Sequence, residues 1–530
     1  MDVVGYHITN EGIVTDRGDV VKVPPFLGFL VDKYPDCQKV LYDLDAAVAS
    51  LSKLIELNPK EAEILLKGKL YVSPYKLTYF PSHFFSVDYG GGANHPYANF
   101  ANMNQVGYHD AQYTEDNSIE DAIKKAKQAR DTAIEVSKSF KYLGLSTDNI
   151  ASPLSAFLKK YSLKHCPTVS DCPDKVANLA WEAVRGQWFE GYVMGSAENC
   201  FDFDINGSYC SEMSQIPDIR YGSWVESDSI PNAASLGIAR VSLTIDSDFH
   251  PFIVRIGKES NFTPIGTFEN ILGLNAIRLL EKWKLGTYKI LEGHWFVPMH
   301  RNNVISGNPY EGTMKWLWSK KINATARNKT IVTRVYSAIW GRTLQTLSDG
   351  SFGDMFNPIV GYTVEENSRI KVADACLTEG IKPIAIMADG FLTNKEIKSL
   401  PLNSELGGWK LSAKGKCIIA GSGAVCFEGD NPPEGLALRY DSLIEQINEN
   451  PDATSYTRSK YSPVTLTLAL QYEENFVKLG QIEKIDRTLT IGEDTKRLYF
   501  DRPKTGRDLI SGKIYESTAH DYKRLTSYTN

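Results

Sequence analysis

Apolar and polar positions alternate most cleanly along Phe201-Asp202-Phe203-Asp204-Ile205, and a period of two argues for a strand. The run closes on Asn206-Gly207-Ser208-Tyr209-Cys210, with Gly207 as the breaker. A buried strand that ends in an unpaired carboxylate is unfavourable unless a cation meets it. Other periods predict other elements. Leu41-Tyr42-Asp43-Leu44-Asp45 leads into an amphipathic helix through Ile55, and residues 117–142 read as a long helix of mixed charge. Residues 76–87 read as two strands around a Pro turn. Asn357-Pro358 opens a helix that runs to Glu379 and is closed by Gly380. Ile384-Ala385-Ile386 and Phe391-Leu392 are apolar runs flanking Asp389-Gly390, a dipeptide that signals a hairpin turn. Residues 211–315 carry strand signals and Pro turns, and residues 440–530 alternate helix and hairpin signals.

A chain of 530 residues has room for two to four domains. Its 42% hydrophobic and 23% charged residues are those of an ordinary globular protein. Mean hydropathy is −0.27, and no apolar run approaches the roughly 20 residues of a membrane helix. Met1-Asp2-Val3-Val4-Gly5-Tyr6-His7 has neither a basic start nor a signal-peptide core, so a cytoplasmic protein is expected. The net charge of −6 argues weakly against nucleic-acid binding, but phosphates need local positive charge. One basic cluster is Lys315, Lys320, Lys321, Arg327, Lys329, Arg334 and Arg342; a second is Lys496, Arg497, Arg502, Lys504 and Arg507. Each is equally well read as a solvated face. Eight cysteines show no C-x-x-C pair, which speaks against zinc and for reduced thiols. Gly90-Gly91-Gly92 has no phosphate-binding pattern around it, and Ser152-Pro153-Leu154-Ser155 starts a further helix.

Three segments gain meaning from their order. Asp204, Gly207, Ser208, Tyr209 and Cys210 fit D-x-x-S-L-Y-P; Ser337, Trp340 and Gly341 keep the frame of K-x-x-x-N-S-x-Y-G; Met387-Ala388-Asp389 stands where D-T-D would. In that order they resemble motifs A, B and C of family B DNA polymerases, most closely the protein-primed enzymes of viruses and plasmids. The resemblance implies an α+β and α/β multidomain fold: a right-hand polymerase of palm, fingers and thumb, preceded by an RNase H-like exonuclease-type domain. The boundaries expected are 1–175 for the exonuclease-like domain, 176–235 for palm with motif A and 236–315 for an insertion like the one that contacts a priming protein. Fingers with motif B would take 316–360, palm with motif C 361–439 and thumb 440–530. The K-x-Y motif of the family is not visible where Gly423-Ala424-Val425 stands.

The chemistry implied is nucleotidyl transfer with Mg²⁺, for which Mn²⁺ can substitute. Asp204, Asp389 and the Ile205 backbone would hold the ions, and the two Asp would be the catalytic pair. Nucleotide contacts would come from Ser208, from Tyr209 beneath the incoming sugar, and from Arg327, Lys329, Arg334, Ser337 and Gly341 on one helix. The family's motif B Lys falls at Thr333, and Arg334 is its nearest substitute. Arg185-Gly186-Gln187 partly matches the Y-x-G-G linker that touches the template. Arg185, Gly186, Trp340, Lys496, Arg497 and Tyr499 are the DNA contacts expected. The partners implied are template–primer DNA, deoxynucleoside triphosphates and a terminal protein, in the host cytoplasm or a virion. In the first domain the three exonuclease motifs keep only Asp45 and Asp131; His7, Thr9, Leu41 and Lys127 stand at other motif positions, so proofreading is expected to be lost. A second reading stays open: a catalytically silent polymerase-fold protein that binds DNA or scaffolds a replication or virion complex. Met387, Thr333 and the acidic net charge favour it.

Overall fold

The computed structural model describes residues 2–81, 84–89, 97–103, 118–146, 156–158, 160, 166–257, 260–299, 307–347, 350–428, 439–471 and 473–527. The Gly90–Gly92 loop, the helix start at Ser152 and the side chain of Arg327 lie outside the described residues. Two compact units form. The first takes Met1–Leu163, Ser319–Val335 and Ser459–Asp486; the second takes Lys164–Trp318, Tyr336–Arg458 and Arg487–Asn530. No described helix is long and apolar enough to cross a membrane.

The first unit is built on an eight-stranded sheet. Its strands are β1 (Val3–Thr9), β2 (Gly12–Thr15), β3 (Val20–Val21), β4 (Gln38–Leu41), β5 (Lys69–Val72), β6 (Tyr75–Phe80), β7 (Phe84–Tyr89) and β8 (Tyr97–Asn102). Their spatial order is β3-β2-β1-β4-β8-β7-β6-β5. β1, β4 and β8 run parallel, and the apolar runs of β1 and β4 are buried on both faces, as covered parallel strands require. The helix foreseen after residues 41–45 and through Ile55 is Leu44–Leu54, and that foreseen at 117–142 is Ile119–Tyr142; they are N-capped by Asp43 and Ser118. The longer one buries Ala122, Ala126, Ala129 and Ala133 at helical spacing. Small residues are needed there: a Cβ on Gly5 of β1 would fall 1.9 Å from the Ala126 carbonyl oxygen.

The second unit holds two antiparallel sheets. Its strands in chain order begin with β9 (Phe189–Gly191), β10 (Val193–Ile205), β11 (Gly222–Glu226) and β12 (Leu236–Ile245), followed by the β13 (Val254–Ile256) and β14 (Ser260–Phe262) hairpin. β15 (Gly266–Gly273), β16 (Gly286–Pro298), β17 (Ala385–Met387), β18 (Gly390–Thr393), β19 (Trp409–Gly421) and β20 (Ala424–Phe427) follow. The central sheet runs β20-β19-β10-β18-β17-β9, and the short strand Ile514–Thr518 also pairs with β10. The second sheet runs β11-β16-β12-β15. One core joins Phe201, Phe203 and Ile205 of β10 to Val241 and Leu243 of β12, to Leu272 of β15, and to Val372 and Cys376 of the helix Pro358–Thr378. That helix starts on the Asn357 cap and ends before Gly380, as its signals predict. The expectation of reduced thiols fails at one place: Cys200 of β10 is joined to Cys417 of β19, strands that the hydrogen-bond ladder already holds side by side. The other six cysteines are not disulfide-bonded. Gly423 sits in the turn between β19 and β20, and Lys496 and Arg497 precede the two-residue strand Leu498–Tyr499.

Candidate active site

β10 runs between β18 and β19, and its last turn of pleat sets the site. Asp204 is registered with Gly390 of β18 on one side and with Lys410 of β19 on the other. The Ile205 N–H donates to the Asp389 carbonyl at 3.2 Å, so Asp389 lies against the end of β10. Only glycine permits this approach: a Cβ on Gly390 would stand 2.7 Å from the Phe203 carbonyl oxygen and 3.3 Å from the Asp204 Cα. The hairpin foreseen here exists, but its turn is one residue earlier than the Asp-Gly signal suggests. Ala388-Asp389 is the two-residue loop between the paired Met387 and Gly390, and Ala388 takes φ 60°, a left-handed value rare for a residue with a side chain. Backbone crowding at Gly390 thus overrides the usual place of Gly in the turn.

The cation that a strand-end carboxylate needs is Lys410. Its Nζ lies 2.5 Å from Asp204 Oδ2, with the side chains 45% and 25% exposed. Asp202 shares the face of Asp204, two residues back. Burial pushes its carboxyl up to about 7; the Asp204 charge adds to this and the Lys410 ammonium opposes it. Neither Asp202 nor Lys410 was singled out from sequence. The strict F-D-F-D alternation signals Asp202, whereas Lys410 follows only from strand register.

As a donor set, two carboxylates on neighbouring strand ends and a backbone carbonyl suit a hard divalent ion that keeps water and takes phosphate oxygens as further ligands. Among the described residues no group of three or more His, Cys, Asp or Glu converges as a closed metal cage. Met387 fills the place of a third acid. The residues present therefore fit Mg²⁺ held jointly with a phosphate ligand.

Gly207, in the left-handed region at φ 58°, turns the chain into the helix Ser208–Met213. Ser208 faces inward: its hydroxyl lies 2.7 Å from that of Ser368, and it is buried. This corrects its expected contact with a triphosphate. Tyr209 packs on Trp340, ring centroids 4.5 Å apart. Burial raises the pKa of its phenol, the Glu365 charge adds to that, and the Arg369 guanidinium opposes it. Trp340, expected against DNA, donates from Nε1 to the Gly361 carbonyl at 3.1 Å. On the helix Ala326–Arg342, Ile331, Val332, Val335 and Ile339 form the buried stripe. Ser337 and Gly341 lie on the opposite face by helical spacing, and Arg334 is half-buried at its edge. Ser337, Gly341 and Lys329 are exposed.

The linker is held by a buried ion pair that sequence reasoning missed. Glu365 Oε1 accepts from the Arg185 and Gly186 N–H groups at 3.2 and 2.9 Å, and from Arg369 at 2.5 Å. Arg369 also donates to the Gly186 carbonyl at 2.9 Å. The Arg185 guanidinium turns back to the Glu182 and Val184 carbonyls. Three further residues expected at DNA are instead scaffold. Arg497 is 0% exposed and donates to Glu190 and Asp248 at 2.7 Å each, above the ring of Tyr192. Lys496 Nζ donates to the Phe189 carbonyl at 2.8 Å, and the Tyr499 hydroxyl to that of Gly191 at 2.8 Å. All three brace β9, which pairs with β17, and the Ala388 N–H donates to the Trp188 carbonyl at 2.8 Å. They act on the hairpin that carries Asp389.

In the first unit a cleft of about 500 Å³ opens at the carboxyl ends of parallel β1 and β4, the usual place for a ligand in such sheets. His7, Thr9, Tyr42, Asp43 and Lys125 line it, and among the described residues neither Asp45 nor Asp131 does. Asp45 accepts from the Tyr79 hydroxyl at 2.7 Å. Asp131 pairs with Arg130, which also reaches the buried Asp16 at 2.7 Å.

The fold is a mixed α+β multidomain polymerase fold. Solved structures of Phi29 DNA polymerase match 92% of this chain and 99% of theirs, at 12% identity: an orthorhombic crystal form at TM-score 0.64, a complex with primer-template DNA and incoming nucleotide at 0.64, and a binary complex with primer-template DNA at 0.65. No known family and no curated protein matches the sequence.

Proposed function

We propose that the chain is a DNA-directed DNA polymerase that adds deoxynucleotides to a 3′-hydroxyl or a protein primer, in the replication of a viral or plasmid genome. The observation that carries this reading is the register of Asp204 with Gly390, with the next residue, Ile205, bonded to the Asp389 carbonyl, within a polymerase fold. Template–primer DNA, nucleoside triphosphates and a terminal protein are its proposed partners. Mg²⁺, held by Asp204, Asp389 and the Ile205 carbonyl, would supply charge stabilisation for in-line displacement at phosphorus. The chain's own work is to orient. Tyr209 on Trp340 offers a flat wall for the nucleotide sugar, and Glu365 with Arg369 fixes the linker loop beside it. Arg334, Lys329 and Arg327 are the proposed triphosphate cations, with Ser337 and Gly341 beside them; Arg185 and Gly186 remain the proposed template contact.

Primer extension tests this. Asp204→Asn and Asp389→Asn should each lower the rate at least about 100-fold, about 2.7 kcal/mol of transition-state stabilisation. Folding should be kept, since removing one of several neighbouring acids relieves repulsion. Near wild-type extension by either variant would refute the assignment. The silent scaffold reading rests on Met387, on Thr333 and on the Lys410 ammonium at Asp204. It gains if the wild type binds DNA yet extends no primer with either Mg²⁺ or Mn²⁺.

A further inference from the structure

Lys410 is the direct cross-strand partner of Asp204, and it is the only cation of the described residues for which an ion pair with Asp204 is found. We infer that Lys410 stands in for the metal ion at Asp204 and must be displaced before the ion can bind. This rests on the polymerase reading of the site.

Three observations carry it. The ammonium lies 2.5 Å from the Oδ2 that an ion would take, so the two cations compete for one oxygen. Asp202 and Asp204 stand two residues apart on one face of β10, and Lys410 is the registered neighbour of Asp204 there, so one ammonium stands beside two closely spaced carboxyls. The pair is half exposed on the lysine side, where ion pairs are weak and screened, and a four-carbon stem lets the ammonium swing clear. The lysine thus holds the cation's place at Asp204, and a divalent ion with a second carboxylate at Asp389 outcompetes it. Metal affinity is then set against an internal competitor, and it is lower than the donor set alone would give.

The test is Mn²⁺ binding to the full chain, read by electron paramagnetic resonance without DNA or nucleotide. Lys410→Met should bind Mn²⁺ about three- to tenfold tighter than wild type, the size expected for losing a weak competing ion pair and a like charge. Lys410→Gln should do the same, and Lys410→Arg should stay at the wild-type value. In the Asp204→Asn background, Lys410→Met should gain clearly less, since only the like-charge part of the effect is left. Unchanged or weaker binding in both Lys410→Met and Lys410→Gln overturns the inference, and so does an equal gain in Lys410→Arg. If Asp204→Asn itself leaves Mn²⁺ binding intact, the metal assignment of the proposed polymerase site fails, whatever the lysine variants do.

Discussion

Tyr209 packs its ring on Trp340, a contact that does not need the hydroxyl, so ring and hydroxyl have separable roles. If the ring fills the space a 2′-hydroxyl needs, Tyr209→Ala should raise the ribonucleotide-to-deoxynucleotide ratio of kcat/KM well beyond the roughly 10–200-fold that a lost apolar contact explains. Tyr209→Phe should move it little, because the ring remains. Single-nucleotide extension with matched triphosphates decides. A wild-type ratio in a folded Ala variant would make Tyr209 a core residue only. At this scale the strand end at Asp204, the turn before Tyr209 and the hairpin at Asp389 were legible, because each sits in a local pattern of breaker and alternation. Lys410, Glu365 and Arg369 were not, because their meaning depends on register and tertiary pairing. Arg497 misled: a basic run near the end of a chain looks solvated, yet Glu190 and Asp248 meet it from 307 and 249 residues away. A charge run carries no local sign of such partners.

The helix Pro358–Thr378 matters to the site through one turn. Glu365 and Arg369, four apart on it, grip the backbone of Arg185 and Gly186. Both side chains are buried, so truncating one strands the other's charge. Glu365→Ala should destabilise the fold by about 3–5 kcal/mol, and Glu365→Leu with Arg369→Met by much less. Urea unfolding measures both; a single variant as stable as wild type would show that the pair does not hold the linker. The elements themselves were readable. The helix followed from its Asn-Pro start and Gly stop, and the hairpin from two apolar runs around Asp389. The turn was misplaced by one residue because steric room between β10 and β18 decides where glycine sits. Sequence shows the dipeptide but not the neighbouring strand.

For the molecule as a whole, the first unit has the parallel strands and cleft of a ligand-binding sheet, while its two surviving motif acids are engaged by Tyr79 and Arg130. The protein should therefore leave a 3′-mismatched primer intact with Mg²⁺ or Mn²⁺. Metal-dependent trimming that disappears in Asp45→Ala would show a working hydrolytic site and reverse this reading. The overall class was legible because three weak motifs in order constrain far more than one. The first unit's composition was not, since it draws on stretches far apart in the chain. Val464, Leu466, Ala469 and Leu479 belong to the same core as Val4, Leu41 and Phe100. On a ribosome that emits the N-terminal part first, strands β1 to β8 emerge more than 300 residues before those side chains. This core closes only when residues 459–486 arrive, so its folding is late and its loop closure long-range. A fragment cut after residue 163 would leave that apolar surface open and prone to aggregate, and nascent chains of intermediate length should be clients of chaperones that hold such surfaces.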